Sequence, residues 1–323
     1  MSTPRTTLLT KPPGYSSNRF LHQAAFAKST WEKYSHAVKA FYDWANRHDV
    51  SISSVDDLDA AVTDYIHELH TNYAGKCRQR AVDTVYGLVA TFPRLKKRLL
   101  EAEQALKGWR RLVPSDSYPP LTYALTVLIA CRLVRMGFLR DAIGTLLSFD
   151  CFLRISELGS LRMCDVYESV DQKGDTSIDV MVLRLRHTKT GSNQSVIVED
   201  PAVRTLLRLC RLTLRTGETL LNHTVDTYRR HFHRATESLG LSPRFVPHSL
   251  RHGGATRAFM EGRQMEDIML RGRWAGAKST RIYIQTGRAL LETTFVPEMT
   301  LAASREVASR PLDAILFALR RST

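Results

Sequence analysis

The sequence predicts a mainly α-helical protein of two domains, the second of which also carries a small β-sheet. Apolar residues recur at intervals of three and four over most of the 323 positions, which is the spacing of amphipathic helices. Residues 113–120 interrupt this pattern with three prolines and two serines, a composition that cannot continue a helix. We therefore expect a helical domain at 19–112, a linker at 113–120 and a mixed domain at 121–323.

The first domain is expected to follow a flexible polar arm, residues 1–18. Aromatic residues between Phe26 and Trp44 recur at helical spacing, with Ser29 or Thr30 placed to cap the helix. This aromatic stripe indicates core packing. A second helix should bury the apolar residues of 58–69, and a third should cover 75–88.

Basic residues are concentrated in the second half of this domain. A third helix and a following helical stretch over 93–111 carry them with few acidic neighbours; the candidates for contact with DNA phosphates are Lys76, Arg78, Arg80, Lys96, Lys97, Arg98, Lys107, Arg110 and Arg111. A run of charge is often only a solvated helix face. Because the whole chain is basic, we favour phosphate contact for these residues.

The second domain should open with a buried helix over 121–134 and continue with a largely buried helical stretch over 140–158. Alternating apolar residues over 179–186 and the β-branched run at 195–198 predict two strands of a hairpin. The polar residues 187–194 between them predict the turn, so Lys189 should lie on the hairpin connection. Helices should follow from residue 200 onward.

The chain carries a net charge of +14, which indicates a polyanionic partner. Nucleic acid is the first candidate, because no apolar run reaches the length of a transmembrane helix and no basic amphipathic segment dominates. The N-terminal residues lack the apolar core of a secretory signal. The cysteines at 77, 131, 151, 164 and 210 show no metal-binding spacing, as expected of thiols in a reducing, intracellular compartment. That compartment would be the cytoplasm or nucleoid of a prokaryote, or a eukaryotic nucleus.

Several polar residues of the second domain suit chemistry on a phosphodiester. Arginine binds phosphate with two forked hydrogen bonds, a tyrosine hydroxyl can attack phosphorus, and a lysine or histidine can protonate the leaving oxygen. The sequence offers Arg154 at the end of an apolar helix, Lys189 on the hairpin, and His248 with Arg251 three residues later. Trp274 supplies an uncharged N–H donor, and Tyr283 should lie in the next helix; the charged members of the set are expected to converge on it.

In this order and spacing the residues resemble the tyrosine recombinase (phage integrase) family. The family pattern is an arginine with an acid three residues on, a hairpin lysine, H-x-x-R, a histidine or tryptophan, and a tyrosine about nine residues further. Tryptophan in place of the second histidine is similar to Cre recombinase. The positions that match are Arg154 with Glu157, Lys189, His248 with Arg251, Trp274 and Tyr283.

The resemblance implies a two-domain architecture, with an N-terminal helical core-binding domain that clamps DNA and a catalytic domain of helices around a small sheet. It implies that Tyr283 forms a 3′-phosphotyrosyl link, that Arg154 and Arg251 bind the scissile phosphate, and that Lys189 protonates the leaving 5′ oxygen. His248 would assist proton transfer, Trp274 would donate to a phosphate oxygen, and Glu157 and His252 would support the site. No metal or other cofactor is implied. The partners implied are double-stranded DNA and further copies of the chain, two on each site and four in synapsis.

Alternatives remain for parts of this interpretation. A type IB topoisomerase-like activity would use the same chemistry, and a non-catalytic DNA-binding protein would keep the charge without cleavage. Tyr228 is a rival nucleophile on a basic helix. The histidines at 223, 231 and 233 resemble a metal cluster weakly, and a solvated or DNA-facing helix is favoured for them. Residues 311–321 predict an amphipathic helix that in this family often docks on a neighbouring protomer.

Overall fold

The structure is a computed structural model that describes residue 21 and residues 24–114, 117–171, 178–188 and 191–321. It separates into two compact units, Met1–Asp116 and Ser117–Thr323. The 1–18 arm and Lys189 lie outside the described residues. The DNA-clamping and catalytic roles assigned to the two domains stay predictions.

The part of the N-terminal unit that the structure describes contains four α-helices around an apolar core. The helices are α1 (Lys28–Arg47), α2 (Val55–Asn72), α3 (Arg78–Thr91) and α4 (Leu100–Leu112). Phe41, Tyr65 and Trp109 are buried in the core that these helices share, so the aromatic stripe of α1 serves packing as predicted. Ser54 caps α2 by accepting from the Asp57 N–H at 3.0 Å.

Two details of this unit differ from the prediction. Helix α1 begins two or three residues earlier than expected: its N-cap is Ala27, and Ser29 lies inside the helix without a capping hydrogen bond. The basic stretch 93–111 is not one helix, because a 3-10 turn at Pro93–Leu95 and a positive φ of 61° at Lys97 separate α3 from α4.

The C-terminal unit contains eleven described helices around one large apolar core. They are α5 (Tyr123–Arg135), α6 (Leu139–Asp150), α7 (Ile155–Ser160), α8 (Pro201–Thr213), α9 (Val225–Ser238), α10 (Pro247–Met260), α11 (Met265–Gly272), α12 (Ala277–Arg281), α13 (Thr286–Thr293), α14 (Glu298–Ser309) and α15 (Pro311–Arg320). Helix α10 approaches the chain closely at Gly254, where a Cβ would lie 2.1 Å from the Phe149 carbonyl oxygen. Glycine is therefore required at this contact.

A three-stranded antiparallel sheet of order β1-β2-β3 lies between α7 and α8 in the chain; its strands are β1 (Val166–Asp171), β2 (Ile178–Thr188) and β3 (Gly191–Val198). Strand β1 was not predicted, because its six residues alternate too briefly to stand out. The eight-residue turn expected at 187–194 is wrong, since Thr188 pairs with Gly191 and the strands continue to that point. The mainly helical fold class with a small sheet is confirmed.

The predicted helical stretch 140–158 is broken. Helix α6 ends at Asp150, Phe152 has a positive φ of 48°, and α7 begins at Ile155. Arg154 is therefore the N-cap residue of a short helix and not the last residue of a long one. At this bend the Phe152 carbonyl accepts from Arg251 of α10, whereas the Arg154 side chain pairs with Glu157 of its own helix α7.

The C-terminal helix α15 packs on its own unit. Ile315 and Ala318 are buried in the large core, next to residues of α5 and α8. Docking of this helix on a neighbouring protomer stays a prediction, and Phe317 on the same helix is half exposed. Within the described residues, no helix combines the length and the apolar character that crossing a membrane requires.

Candidate active site

Helix α10 brings His248, Arg251 and His252 to one side of the C-terminal unit, because residues three and four apart share a helix face. Pro247 begins the helix at a position where its missing N–H costs nothing. The rings of His248 and His252 lie 5.0 Å apart. One turn of helix thus places two imidazoles beside a guanidinium, as the H-x-x-R spacing predicted.

Tyr283 lies against this face of α10. Its ring centroid is 4.6 Å from that of His252 in a stacked arrangement, 5.6 Å from that of His248 and 4.5 Å from that of Trp274. The Arg251 guanidinium carbon lies 5.2 Å from the same ring centroid. Four of the sequence-predicted residues are therefore in contact around the tyrosine.

The tyrosine is not on a helix as expected. It lies in the turn between α12 and α13, and the buried hydroxyl of Thr256 fixes that turn from α10. This hydroxyl donates to the Tyr283 carbonyl at 3.1 Å and accepts from the Gln285 N–H at 3.1 Å. A turn is more mobile than a helix, so the two hydrogen bonds of Thr256 hold the backbone around Tyr283 in place.

Trp274 packs its ring between Arg251 and a small apolar cluster that contains Phe152 and Ile268. Its Nε1–H is buried and has no hydrogen-bond partner within the described residues. A buried donor without a partner is costly, and is typical of a place that a ligand oxygen can fill. Gly272 makes this packing possible, because a Cβ there would lie 1.9 Å from the indole ring.

The Arg251 side chain is fully buried, with 0% of its surface exposed. Its two terminal nitrogens donate to the carbonyls of Phe152 and Gly272, and its Nε has no partner among the described residues. Burial, together with the charges of Arg154 and Arg273, lowers its pKa from the ordinary range. Arg251 is thus in the site, where two of its five N–H groups are bound to the protein's own carbonyls and the Nε–H has no partner within the described residues.

Arg154 and Glu157 form the pair that the R-x-x-E spacing predicted. The Glu157 carboxylate accepts from the Arg154 guanidinium at 2.6 Å and from the Arg154 backbone N–H at 2.8 Å. The Arg154 side chain keeps 17% of its surface exposed. Arg154 is therefore more accessible to an incoming phosphate than Arg251.

Arg273 is a site residue that the sequence did not identify. Its guanidinium donates to the second oxygen of Glu157 at 2.9 Å and to the carbonyl of Phe152 at 2.9 Å. Arg273 also caps α11 with a positive φ of 55°, a conformation that favours glycine. The only signal in the sequence is its place between Gly272 and Trp274, which does not by itself indicate burial.

The two histidines of α10 are held neutral by their surroundings. Burial, followed by the charges of Arg251 and Arg154, lowers the pKa of His248 to about 4. Burial and the adjacent His248 lower the pKa of His252 to about 3. The Gln285 side-chain amide lies 3.3 Å from His252 Nδ1, so Nδ1 accepts and Nε2 carries the proton. A neutral His248 beside Tyr283 can accept a proton near pH 7.

The predicted DNA-binding residues of the N-terminal unit do not form one continuous group. Eight of the nine are exposed, Arg78 is half-buried, and none forms an ion pair within the described part of the chain. The Trp109 indole donates to the Gly75 carbonyl at 3.2 Å, which joins the basic start of α3 to the basic end of α4. Residues 96–98 lie beyond the other end of α3, about 21 Å along its axis.

The rival residues have other environments. Tyr228 is fully buried and its hydroxyl lies 3.0 Å from that of Thr145, which makes it unavailable to a DNA strand. His223 and His231 are partly buried against Asp141, and His233 is exposed. The expectation of a solvated or DNA-facing set is therefore wrong for His223 and His231, because both imidazoles contact the buried carboxylate of Asp141.

Comparisons with known proteins agree on the fold. Residues 128–288 match the family model of the phage integrase family, and this range contains all the residues placed in the site above. None of the curated proteins matches the chain.

Solved structures extend the likeness over more of the chain. The integrase of the Tn1549 transposon, in complex with transposon right-end DNA, is 14% identical, with a TM-score of 0.59 over 85% of this chain and 96% of that one. A lambda integrase fragment, a dimer bound to a COC′ core site, is 17% identical, with a TM-score of 0.55 over 82% of this chain and 92% of that one. At these identities the likeness shows the fold.

Proposed function

Because the chain belongs, through residues 128–288, to the phage integrase family, we propose that it is a site-specific DNA recombinase that cleaves and rejoins strands through Tyr283. One observation carries the proposal: the ring of Tyr283 is enclosed by His248, His252 and Trp274, with the Arg251 guanidinium 5.2 Å away. A packed core tyrosine would not need two neutral imidazoles and a buried cation around it.

In the proposed cleavage step, the Tyr283 hydroxyl oxygen attacks the scissile phosphorus and its proton passes to the neutral His248. The bond between phosphorus and the 5′ oxygen breaks, and Lys189 gives that oxygen a proton. The product is a 3′-phosphotyrosyl link and a free 5′ hydroxyl. Because one phosphodiester replaces another, the step consumes no water and no nucleotide. Attack by the 5′ hydroxyl of another strand reverses these transfers and releases Tyr283.

The roles of the two arginines differ in this proposal. Arg154 is partly exposed and paired with Glu157, so it can meet the phosphate first through its remaining N–H groups. Arg251 is buried and bound to the carbonyls of Phe152 and Gly272, and it offers the phosphate its unpartnered Nε–H. The unpartnered Trp274 N–H donates to a non-bridging oxygen in the same complex.

The N-terminal unit would hold the duplex through its basic residues. The exposed cations at the start of α3 and the end of α4 lie together because Trp109 joins the two ends, and this group forms the main phosphate contact. The group at 96–98 contacts a separate stretch of backbone. Further copies of the chain would assemble on DNA, with two on each site and four in synapsis.

The cleavage step is tested by first sequencing the DNA that flanks the gene for inverted repeats and then building a nicked duplex from them, because loss of the short fragment traps the covalent complex. Wild type and Tyr228→Phe should accumulate a protein–DNA adduct that survives denaturant, and Tyr283→Phe should bind the duplex without forming it. An adduct in Tyr283→Phe, or none in wild type, contradicts the proposal. Exchange between two marked sites separates recombination from relaxation alone.

A further inference from the structure

A second cluster of ionisable residues lies outside the candidate active site. Asp141 on α6, His223 before α9 and His231 on α9 meet through their side chains. One Asp141 oxygen lies 2.8 Å from His223 Nε2 and the other lies 2.7 Å from His231 Nδ1. Asp141 is 1% exposed, whereas both imidazoles retain some exposed surface. The carboxylate at the centre of the cluster is thus buried, and the two imidazoles bound to it are accessible to solvent.

No arginine or lysine of the described residues forms an ion pair with this carboxylate. Within the described residues, its oxygens contact only imidazole nitrogens. The N-terminus of α6, where Asp141 lies, supplies about half a positive charge. A buried carboxylate normally has a full counter-charge or a metal ion, so the cluster requires a further cation.

Hydrogen bonding at His223 leads to the same requirement. Its Nδ1 lies 3.1 Å from the Thr224 carbonyl and its Nε2 lies 2.8 Å from the Asp141 carboxylate. Both partners only accept, whereas a neutral imidazole carries a single N–H. The Nδ1–H can donate to the carbonyl, but the Nε2 lone pair then faces a carboxylate oxygen without a positive charge between them.

We infer that Asp141, His223 and His231 form a binding site for a divalent first-row transition-metal ion such as Zn²⁺. The candidate ligand atoms all lie within 4.8 Å of one another. Zn²⁺ binds imidazole nitrogen at about 2.0–2.1 Å, which places tetrahedral ligands about 3.3 Å apart. The present nitrogen–oxygen separations need to open by about half an ångström to admit the ion.

The surroundings of the two imidazoles suit metal ligands. A metal-bound histidine usually donates its other N–H to a carbonyl or carboxylate, as His223 does toward Thr224. The His231 ring is stacked on Phe138 with centroids 3.7 Å apart and planes 4° apart, which fixes its direction. Two histidines and one carboxylate leave at least one position for water, and the ion would link α6 to α9.

Zinc binding by the full-length chain tests this inference, after chelator treatment and dialysis. Wild type should take up one more Zn²⁺ per chain than Asp141→Asn or His231→Asn, or bind it at least tenfold more tightly. His233→Asn is the matched control, because it removes an exposed histidine two residues from His231, and it should behave as wild type. Comparing variants in this way discounts zinc held by the other histidines and the cysteines.

A measurement on the unaltered protein covers the case in which a variant fails to fold. The ¹⁵N resonances of His223 Nε2 and His231 Nδ1 should shift when one equivalent of Zn²⁺ is added, and the Tm should rise. Equal zinc binding by all variants, or unchanged histidine resonances, overturns the inference. DNA cleavage is not a readout, so this result is independent of the proposed recombinase activity.

Discussion

Arg273 donates to Oε2 of Glu157 at 2.9 Å and the Arg154 guanidinium donates to Oε1 at 2.6 Å, so that one buried carboxylate holds two arginines at the candidate active site. Burial alone would raise the pKa of Glu157, but Arg273 and the hydrogen bonds of Arg154 outweigh it and hold this pKa below its ordinary value. The carboxylate is therefore charged near pH 7, and it positions Arg154 on one side and the chain before Trp274 on the other.

Replacing Glu157 by glutamine should destabilise the protein by about 3–5 kcal/mol, because the buried guanidinium of Arg273 and the partly exposed one of Arg154 lose their counter-charge. Urea unfolding measures this change. Glu261→Gln is the matched control, since Glu261 pairs with Arg257 at an exposed position and should cost less than about 1 kcal/mol. Equal losses of unfolding free energy in the two variants would show that the ion pairs of Glu157 stabilise the protein no more than the exposed pair of Glu261 does.

Arg273→Gly separates backbone strain from the ion pair. Glycine relieves a left-handed conformation worth roughly 1–2 kcal/mol but removes an ion pair to Glu157 worth about 3–5 kcal/mol. We expect a net loss of about 2 kcal/mol in urea unfolding, with slower adduct formation. Asp49→Gly, at an exposed position with a φ of 51°, should be neutral or stabilising. If Arg273→Gly is more stable than wild type, the ion pair of Arg273 contributes less free energy than its left-handed backbone conformation costs.

Trp274→Phe should lower the rate of adduct formation by roughly a hundredfold, because a buried N–H donor to the phosphate is lost while the packing is kept. Trp274→His retains an N–H donor, so its rate of adduct formation should fall less than that of Trp274→Phe. Lys189→Ala should be slower than Trp274→His, since it removes the proton for the leaving oxygen. Single-turnover rates on the nicked duplex give this order, and the reverse order would show that the proton comes from elsewhere.

Histidine burial predicts a pH-dependent stability. The pKa of His248 is about 4 in the folded protein against 6.5 in the unfolded chain, so the unfolded chain binds more protons between these values. Stability should therefore fall as the pH drops from about 6.5 toward 4. His248→Gln should flatten this part of the curve of Tm against pH, whereas the exposed His233→Gln should not. A histidine NMR titration of His248 with a midpoint near 6.5 would contradict the prediction.

Thr256→Val tests how the tyrosine turn is held. The change keeps the shape of the side chain but removes the hydroxyl between the Tyr283 carbonyl and the Gln285 N–H. We expect a stability loss of about 1–3 kcal/mol and slower adduct formation at unchanged DNA affinity. In Thr236→Val, a buried hydroxyl that bonds its own helix is removed, and adduct formation should be unchanged. Equal rates for both variants would exclude an orienting role for Thr256.

The sequence predicted which side chains of the candidate site come together better than it predicted their environments. The H-x-x-R spacing placed His248 and Arg251 on one helix face because that follows from helix geometry alone. Arg251 was expected to be open to phosphate, and its burial depends on carbonyls 99 and 21 residues away in the chain. Arg273 was missed for the same reason, since no local pattern reports a long-range ion pair.

Element boundaries failed where tertiary contacts override local pattern. The apolar residues of 140–158 continue a helical period through Phe152, but the chain bends there with a positive φ. Tyr283 follows residues of good helical propensity, yet Thr256 holds it in a turn. Strand β1 has too few residues for its alternation to be noticed and is defined by its pairing with β2.

The contacts that hold Arg251 also bear on the order in which the protein acquires its activity during folding. Closing contacts over 99 residues is slow compared with forming single helices. Helix content should therefore appear early in refolding, and the capacity to cleave DNA should appear in the last phase. Mild denaturant should likewise abolish cleavage before it lowers the far-ultraviolet circular dichroism signal, which makes cleavage the more sensitive reporter of native packing.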